Sequence, residues 1–340
     1  MLFQENILLY LKRGLIMNYF EDESEEVKYE KEYHYLESKI KILSQSFLWN
    51  GSEVSERLQD WQSNFNGQVK DSKIELHNAM FLLSQFMFFN DKTIRNFLQS
   101  IYKDLIVKPI IDSIRRNNEN TIDLTFIQEN LNTKLSLIKF IPIGKISGSG
   151  AMISYLFRQA TDISEEQVIL ASDLYNSSGN LNFPEIEHYI LIDDLAGSGT
   201  QVCDFVTKHK ILNLKIENKH IQISYLPIFS TSIAIEKIKK STFHQIYVNP
   251  LFELDESYQV YSQKSRYFSN VKKHKYIGRL MSKYIFKKYA KNLNFIEENS
   301  LGYSNTQLML AFSHNTPDNT LPLFWEDSKW NAIFKRYNKK

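Results

Sequence analysis

Four apolar residues, Tyr189-Ile190-Leu191-Ile192, run directly into two acids, Asp193-Asp194, and then into a turn of small residues, Gly197-Ser198-Gly199-Thr200. Few folds accommodate that order. The apolar run is β-prone and lacks polar alternation, so it predicts a strand buried on both faces. Val202-Cys203-Asp204-Phe205-Val206 follows the turn and can open a helix. A strand that ends in acids and turns through glycines into a helix predicts a ligand site. Loop amides and a helix N-terminus cradle phosphate. The hydroxyls of Ser198 and Thr200 add donors, and two carboxylates suit the hydroxyls of a sugar.

A second unit of the same kind lies upstream. Leu137 to Ile143 reads as a strand, Gly144-Lys145-Ile146-Ser147-Gly148-Ser149-Gly150 as a loop, and Ala151 to Ala160 as a helix. A dinucleotide fingerprint competes for this loop, but Gly148 and Gly150 supply only two of its three glycines. No acid ends a second strand at the required distance either.

Further strands are expected at Val168 to Leu170, Ile221 to Pro227, Phe243 to Val248 and Gln307 to Phe312, with a short helix at Ser232 to Lys240. Alternating strands and helices from Leu135 to Val248 imply a parallel sheet. Its ligands belong outside the carboxyl ends of the strands, where both loops lie. Residues 17 to about 130 differ in texture: Gly and Pro are rare, and apolar residues recur at helical spacing. The reading is an α/β protein with an all-helical N-terminal portion, residues 1–130, ahead of an α/β domain, residues 131–340. Pro109 falls within or beside one of the helices and is expected to kink it.

Composition excludes several classes. Cys203 is the single cysteine, so an internal disulfide is impossible and a reducing cytoplasm fits. No apolar run approaches the ~18 residues that span a bilayer, which argues against a membrane protein. Ile7 to Ile16 is broken by Lys12, Arg13 and Gly14, and Met17 could be the true start. A net charge of +2 gives no global attraction to nucleic acid. Residues 263–292, however, hold ten Lys or Arg and no acid. They read as a loop and a basic amphipathic helix, with Ile277, Leu280, Met281, Tyr284 and Ile285 as the buried stripe. Tyr267, Phe268 and Tyr276 are interleaved with the charge, so a nucleic-acid surface is conceivable there but not favoured.

The run from Tyr189 to Gln201 resembles the phosphoribosyl pyrophosphate (PRPP) motif of type I phosphoribosyltransferases. The resemblance implies that chain fold around the sheet. It implies that Asp193 and Asp194 bind the ribose hydroxyls and act in catalysis. Gly197, Ser198, Gly199, Thr200 and Gln201 would hold the 5′-phosphate. Lys145, Ser147, Gly148, Ser149 and Gly150 would hold the pyrophosphate, with Lys145 supporting the leaving group. Mg²⁺ would come bound through the ligand's pyrophosphate rather than in a protein cage. Purine-salvage members carry an acid at the position of Gly197, where it acts on the base; this chain departs from them there. A mobile loop closes the site in that family. Residues 173–187 take its place here, with Tyr175, Ser177 and Ser178 toward the pyrophosphate but no lysine. The tail, His314-Asn315-Thr316-Pro317-Asp318-Asn319-Thr320-Leu321-Pro322 leading to Trp325, is similar to a bacterial subgroup tied to conflict and anti-phage systems. On that likeness, polar residues after a strand of the same sheet form a base-recognition wall of His314, Asn315 and Asn319. The implied function is transfer of ribosyl phosphate to or from a nucleobase, as an effector or accessory in anti-phage defence. A protein partner from the defence system and a homo-oligomer are both compatible with that role. The rival reading is a non-catalytic nucleotide-sensing subunit that uses the same pocket.

Overall fold

The computed structural model describes residues 24–50, 52–144, 149–161, 163–269 and 276–337. Lys145, Ser147 and Gly148 lie outside the described residues, as do Lys272, Lys273 and Lys275 of the basic segment.

The centre is a parallel sheet of β2 (Ile138–Pro142), β3 (His188–Ala196), β4 (Gln222–Thr231), β5 (Tyr247–Val248) and β6 (Phe252–Leu254). The strand order is β2-β3-β4-β5, and β6 also pairs with β4. β5 and β6 lie along one side of β4, opposite Ser224–Tyr225 and Phe229–Thr231 respectively. Pro250 falls between them and has no amide hydrogen to give to a ladder. Successive β3 side chains enter different cores. Tyr189 and Leu191 join one with Ile223 and Tyr225, whereas Ile190 and Ile192 join the other with Leu226 and Ile228. That is the doubly buried strand read from the sequence.

Among the described residues the N-terminal portion holds six helices. They are α1 (Glu25–Gln45), α2 (Val54–Ser63), α3 (Ser72–Leu83), α4 (Asp91–Ser100), α5 (Lys108–Asn117) and α6 (Leu124–Ser136). It is not wholly helical. β1 (Met87–Phe89) pairs in parallel with β7 (Leu310–Phe312) in a separate two-stranded sheet. The base wall was expected to follow a strand of the main sheet; it follows this small one instead. Trp61, Met80 and Leu83 share a core with Phe286, Leu323 and Phe334, so the helices close over the tail. Trp61 Nε1 donates to Leu323 O at 2.7 Å. α4 is capped by Asn90, whose side chain accepts from the Thr93 amide. At Pro109 the chain continues through a π-helical segment, Ile101–Val107, into α5. The proline has no amide for the preceding turn, and the wider turn absorbs the missing bond.

Three other expectations change. Val168 to Leu170 is a single bridge, Phe140 to Val168, pinched between 3-10 turns. The expected strand from Phe243 starts only at Tyr247, because Phe243 and His244 have φ of 50° and 57°, which no strand allows. The basic helix α11 begins at Arg279 and ends at Asn292. Its inner face carries Ser282, Ile285, Phe286 and Tyr289, while Leu280 and Tyr284 are 70% and 44% exposed. Tyr267 is buried and Phe268 packs on the core of Trp61 and Phe286, so neither is a stacking platform for bases. No helix among the described residues is long and apolar enough to cross a membrane.

Candidate functional site

β3 carries its acids further inside than a strand followed by a turn would. Asp193 pairs with Pro227 in register, and the strand runs on through Leu195 and Ala196. Side chains alternate along a strand, so the two carboxyls leave on opposite faces. Asp193 is 2% exposed and accepts from Tyr225 Oη at 3.0 Å. Asp194 is 9% exposed and meets His314 Nε2 at 3.0 Å, on the side of β7. Asp193 thus takes its partner from β4 and Asp194 takes its partner from the tail, while the two carboxyls also interact with each other.

Their charges differ accordingly. Burial, sharpened by the neighbouring Asp194 charge, holds the Asp193 carboxyl well above the usual carboxylate range. Burial also pushes Asp194 upward, but the hydrogen bond and charge of His314 outweigh it and leave this carboxyl below that range. An ionised carboxylate only accepts, so Nε2 carries the proton of the His314 bond. Nδ1 of His314 is buried and has no hydrogen-bond partner among the described residues. The imidazole stacks on Phe312, with centroids 5.2 Å apart and planes 11° apart.

The turn after β3 opens helix α8 (Thr200–Lys208), which is followed by the short helix α9 (Asn213–Glu217). Ser198 Oγ accepts from the Thr200 amide at 3.3 Å and lies 3.1 Å from Thr200 Oγ1. Thr231, at the end of β4, donates its hydroxyl to Gly197 O at 2.6 Å and also caps helix α10 (Ser232–Ser241). From α10, Lys237 Nζ reaches Thr200 Oγ1 at 2.7 Å, which puts a cation at the mouth of the loop. Cys203 N bonds Gly199 O as the first helical turn closes, so the amides of Ser198, Gly199 and Gln201 remain available to an anion.

The two glycine loops meet. A Cβ placed on Gly144, just after β2, would lie 3.5 Å from Gly150 N and 3.7 Å from Gln201 Nε2. Ser149 and Gly150 open helix α7 (Ser149–Thr161). The structure thus sets Gln201 and Gly150 beside Gly144, Asn319 beside Gly197 and His314 against Asp194. Asn319 is 8% exposed beside Gly197. Asn315 is not with them: its Oδ1 accepts from Tyr337 N, toward the C-terminal end. Nor does the 173–187 connector reach the loops. Tyr175 Oη bonds Lys210 O, beyond the far end of α8, and Tyr175, Leu181 and Phe183 pack on the core there. Tyr175 therefore stands away from the pyrophosphate side, where it was expected.

Tyr225, Thr231 and Lys237 had no signal in the sequence. Each depends on which β4 and α10 positions face β3, and that register is set by the sheet. A cavity of about 610 Å³ opens at the opposite, amino end of the strands, among His188, Gln222, Lys239 and Tyr247. It touches none of the residues just described.

A family model described as PRTase-CE matches residues 58–336. No curated protein and no solved structure matches the chain.

Proposed function

The chain belongs to the PRTase-CE family, a phosphoribosyltransferase-type family, and we propose that it binds PRPP and moves ribosyl phosphate between pyrophosphate and a nucleobase. The observation that carries this reading is that the loops at the carboxyl ends of the paired strands β2 and β3 adjoin, with the Gln201 side chain beside Gly144. PRPP has phosphate at two ends of one sugar, and two adjoining cradles match that layout. Gly197 to Gln201, with Lys237, would take the 5′-phosphate. Ser149 and Gly150, with Lys145, Ser147 and Gly148, would take the pyrophosphate. Asp194 is the acid that would meet the ribose hydroxyls, and Asp193 would support it from behind.

In the forward direction the bond from the sugar C1 to the pyrophosphate oxygen breaks, and the electron pair leaves with pyrophosphate. A bond from C1 to a ring nitrogen forms, and the nitrogen's proton passes to solvent. Asp194 would stabilise the positive charge that develops on the sugar. The reading takes the metal as an ion carried in by the ligand, since Mg²⁺ is usually held by substrate phosphates and waters rather than by an all-protein cage. When bound with the ligand, that ion would supply charge neutralisation for the leaving pyrophosphate.

One observation favours the sensor reading: Asp193 and Asp194 are already engaged by Tyr225 and His314. A single experiment separates the two. The protein is incubated with PRPP, Mg²⁺ and a nucleobase panel, and single-turnover pyrophosphate release is measured alongside PRPP affinity. A transferase releases pyrophosphate, and Asp194→Asn lowers that rate far more than it lowers affinity. A protein that binds PRPP, releases nothing with any base and still protects cells from phage is a sensor. The defence setting itself is tested by whether Asp194→Asn abolishes protection in a plaque assay.

A further inference from the structure

The space beside Gly197 is filled by the tail. A Cβ built on Gly197 would fall 2.1 Å from Asn319 Cγ, 2.2 Å from Oδ1 and 2.3 Å from Nδ2. The carboxamide therefore stands where a side chain at position 197 would begin. Its orientation follows from hydrogen-bond chemistry. Thr306 Oγ1 has one hydrogen, which it directs to the carbonyls of Tyr303 and Asn319, at 2.9 and 3.0 Å. Toward the Asn319 side chain it can only accept, so the amide nitrogen faces it, at 3.2 Å. Oδ1 is left turned away from Thr306, with no donor to it among the described residues.

We infer that Asn319 is a specificity-determining residue of this site, which reads the acceptor through Oδ1 and selects a neutral heterocycle that presents an N–H. The inference rests on the PRPP reading above and adds the acceptor class to it. Two further features point the same way. The Phe312–His314 stack offers a flat neighbouring wall. In the tail, Arg336 is tied to Thr316 O and Asp318 and Lys335 to Glu53, so neither of these cations is free for a carboxylated base.

The test separates donor from acceptor. PRPP affinity is measured by calorimetry for the parent, Asn319→Ala and Asn319→Asp, and kcat/KM is measured for adenine, guanine, hypoxanthine, uracil and the anionic base orotate. The expected result is PRPP affinity within threefold throughout. Neutral bases are preferred by the parent, kcat/KM for them falls at least tenfold in Asn319→Ala, and most of it returns in Asn319→Asp, which keeps an acceptor oxygen. If Asn319→Ala melts, Asn319→Leu preserves the volume beside Gly197 and carries the same comparison. Equal losses of PRPP affinity and acceptor kcat/KM would show a structural wedge and overturn the inference. An unchanged Asn319→Ala, a preference for orotate, or a parent that binds PRPP but uses no base would overturn it too, and each leaves PRPP binding standing. A parent that binds no PRPP overturns the proposed function and this inference together.

Discussion

Adding one methyl group at Gly197 tests whether the tail and the phosphate loop form one packed unit. Gly197 is outside the left-handed region, so Gly197→Ala would ordinarily stabilise the fold by about 0.4–1 kcal/mol through the unfolded chain. Here the new Cβ would sit 2.1 Å from Asn319 Cγ, whereas ordinary contacts begin at 3.4 Å. The buried carboxamide must move by more than an ångström. Overpacking of that kind costs about 1–3 kcal/mol. The displaced Asn319–Thr306 hydrogen bond adds about 1 kcal/mol. Gly197→Ala should therefore lower unfolding stability by about 2–4 kcal/mol. Asn319→Gly removes the obstacle, and in that background the same methyl should cost nothing or stabilise slightly. Urea unfolding of the four proteins gives the cycle, with an expected coupling of about 2–4 kcal/mol. Additive effects, or a Gly197→Ala as stable as the parent, would refute the packing argument.

Other consequences follow from the same geometry. Burial lowers the pKa of His188 to about 4 from 6.5, with Ser224 Oγ 2.8 Å from its Nε2. The unfolded chain therefore binds the proton first as pH falls, and stability drops from about pH 6.5 to pH 4 by about 3 kcal/mol. His188→Gln should flatten that slope in urea titrations across the range, and an unchanged slope would contradict the assignment. Lys237→Ala removes the cation at Thr200 and should weaken inorganic phosphate or PRPP binding about tenfold, with a shallower salt dependence. Equal affinity and salt dependence would place that lysine outside the site.

The β3 unit was legible because its signals agree locally. A doubly buried run, two acids and a glycine turn leave one arrangement, and the β2 unit repeats it. Signals that need a partner to interpret were not legible. Val168 to Leu170 has the composition of a strand, but only Val168 meets β2. Phe243 and His244 look β-prone, yet a left-handed turn after α10 uses them. Leu280 and Tyr284 share a face four residues apart, and the face that packs is the adjacent one with Ile285, Phe286 and Tyr289. The adjacent acids were legible as a pair, but their partners were not, because Tyr225 comes from β4 and His314 from the tail. His314 and Asn319 could be singled out in the tail. Their approach to Asp194 and Gly197 runs through the β1–β7 sheet, whose pairing spans most of the chain.

The central claim is that the turn after β3 holds a phosphate of PRPP. Gly199→Asp is a poor probe, since Gly199 has φ of 74° and a Cβ there would lie 3.1 Å from Ala234 O. Ser198→Asp is cleaner. Its carboxylate can accept from the Thr200 amide as Ser198 Oγ does, which suits the start of α8, and it sets a negative charge against the ligand. Calorimetric titration with PRPP and Mg²⁺ is the direct measurement, with melting curves of both proteins alongside. The account predicts saturable binding to the parent that Ser198→Asp abolishes at an unchanged melting temperature. No binding to the parent, or equal binding to both proteins, would contradict it.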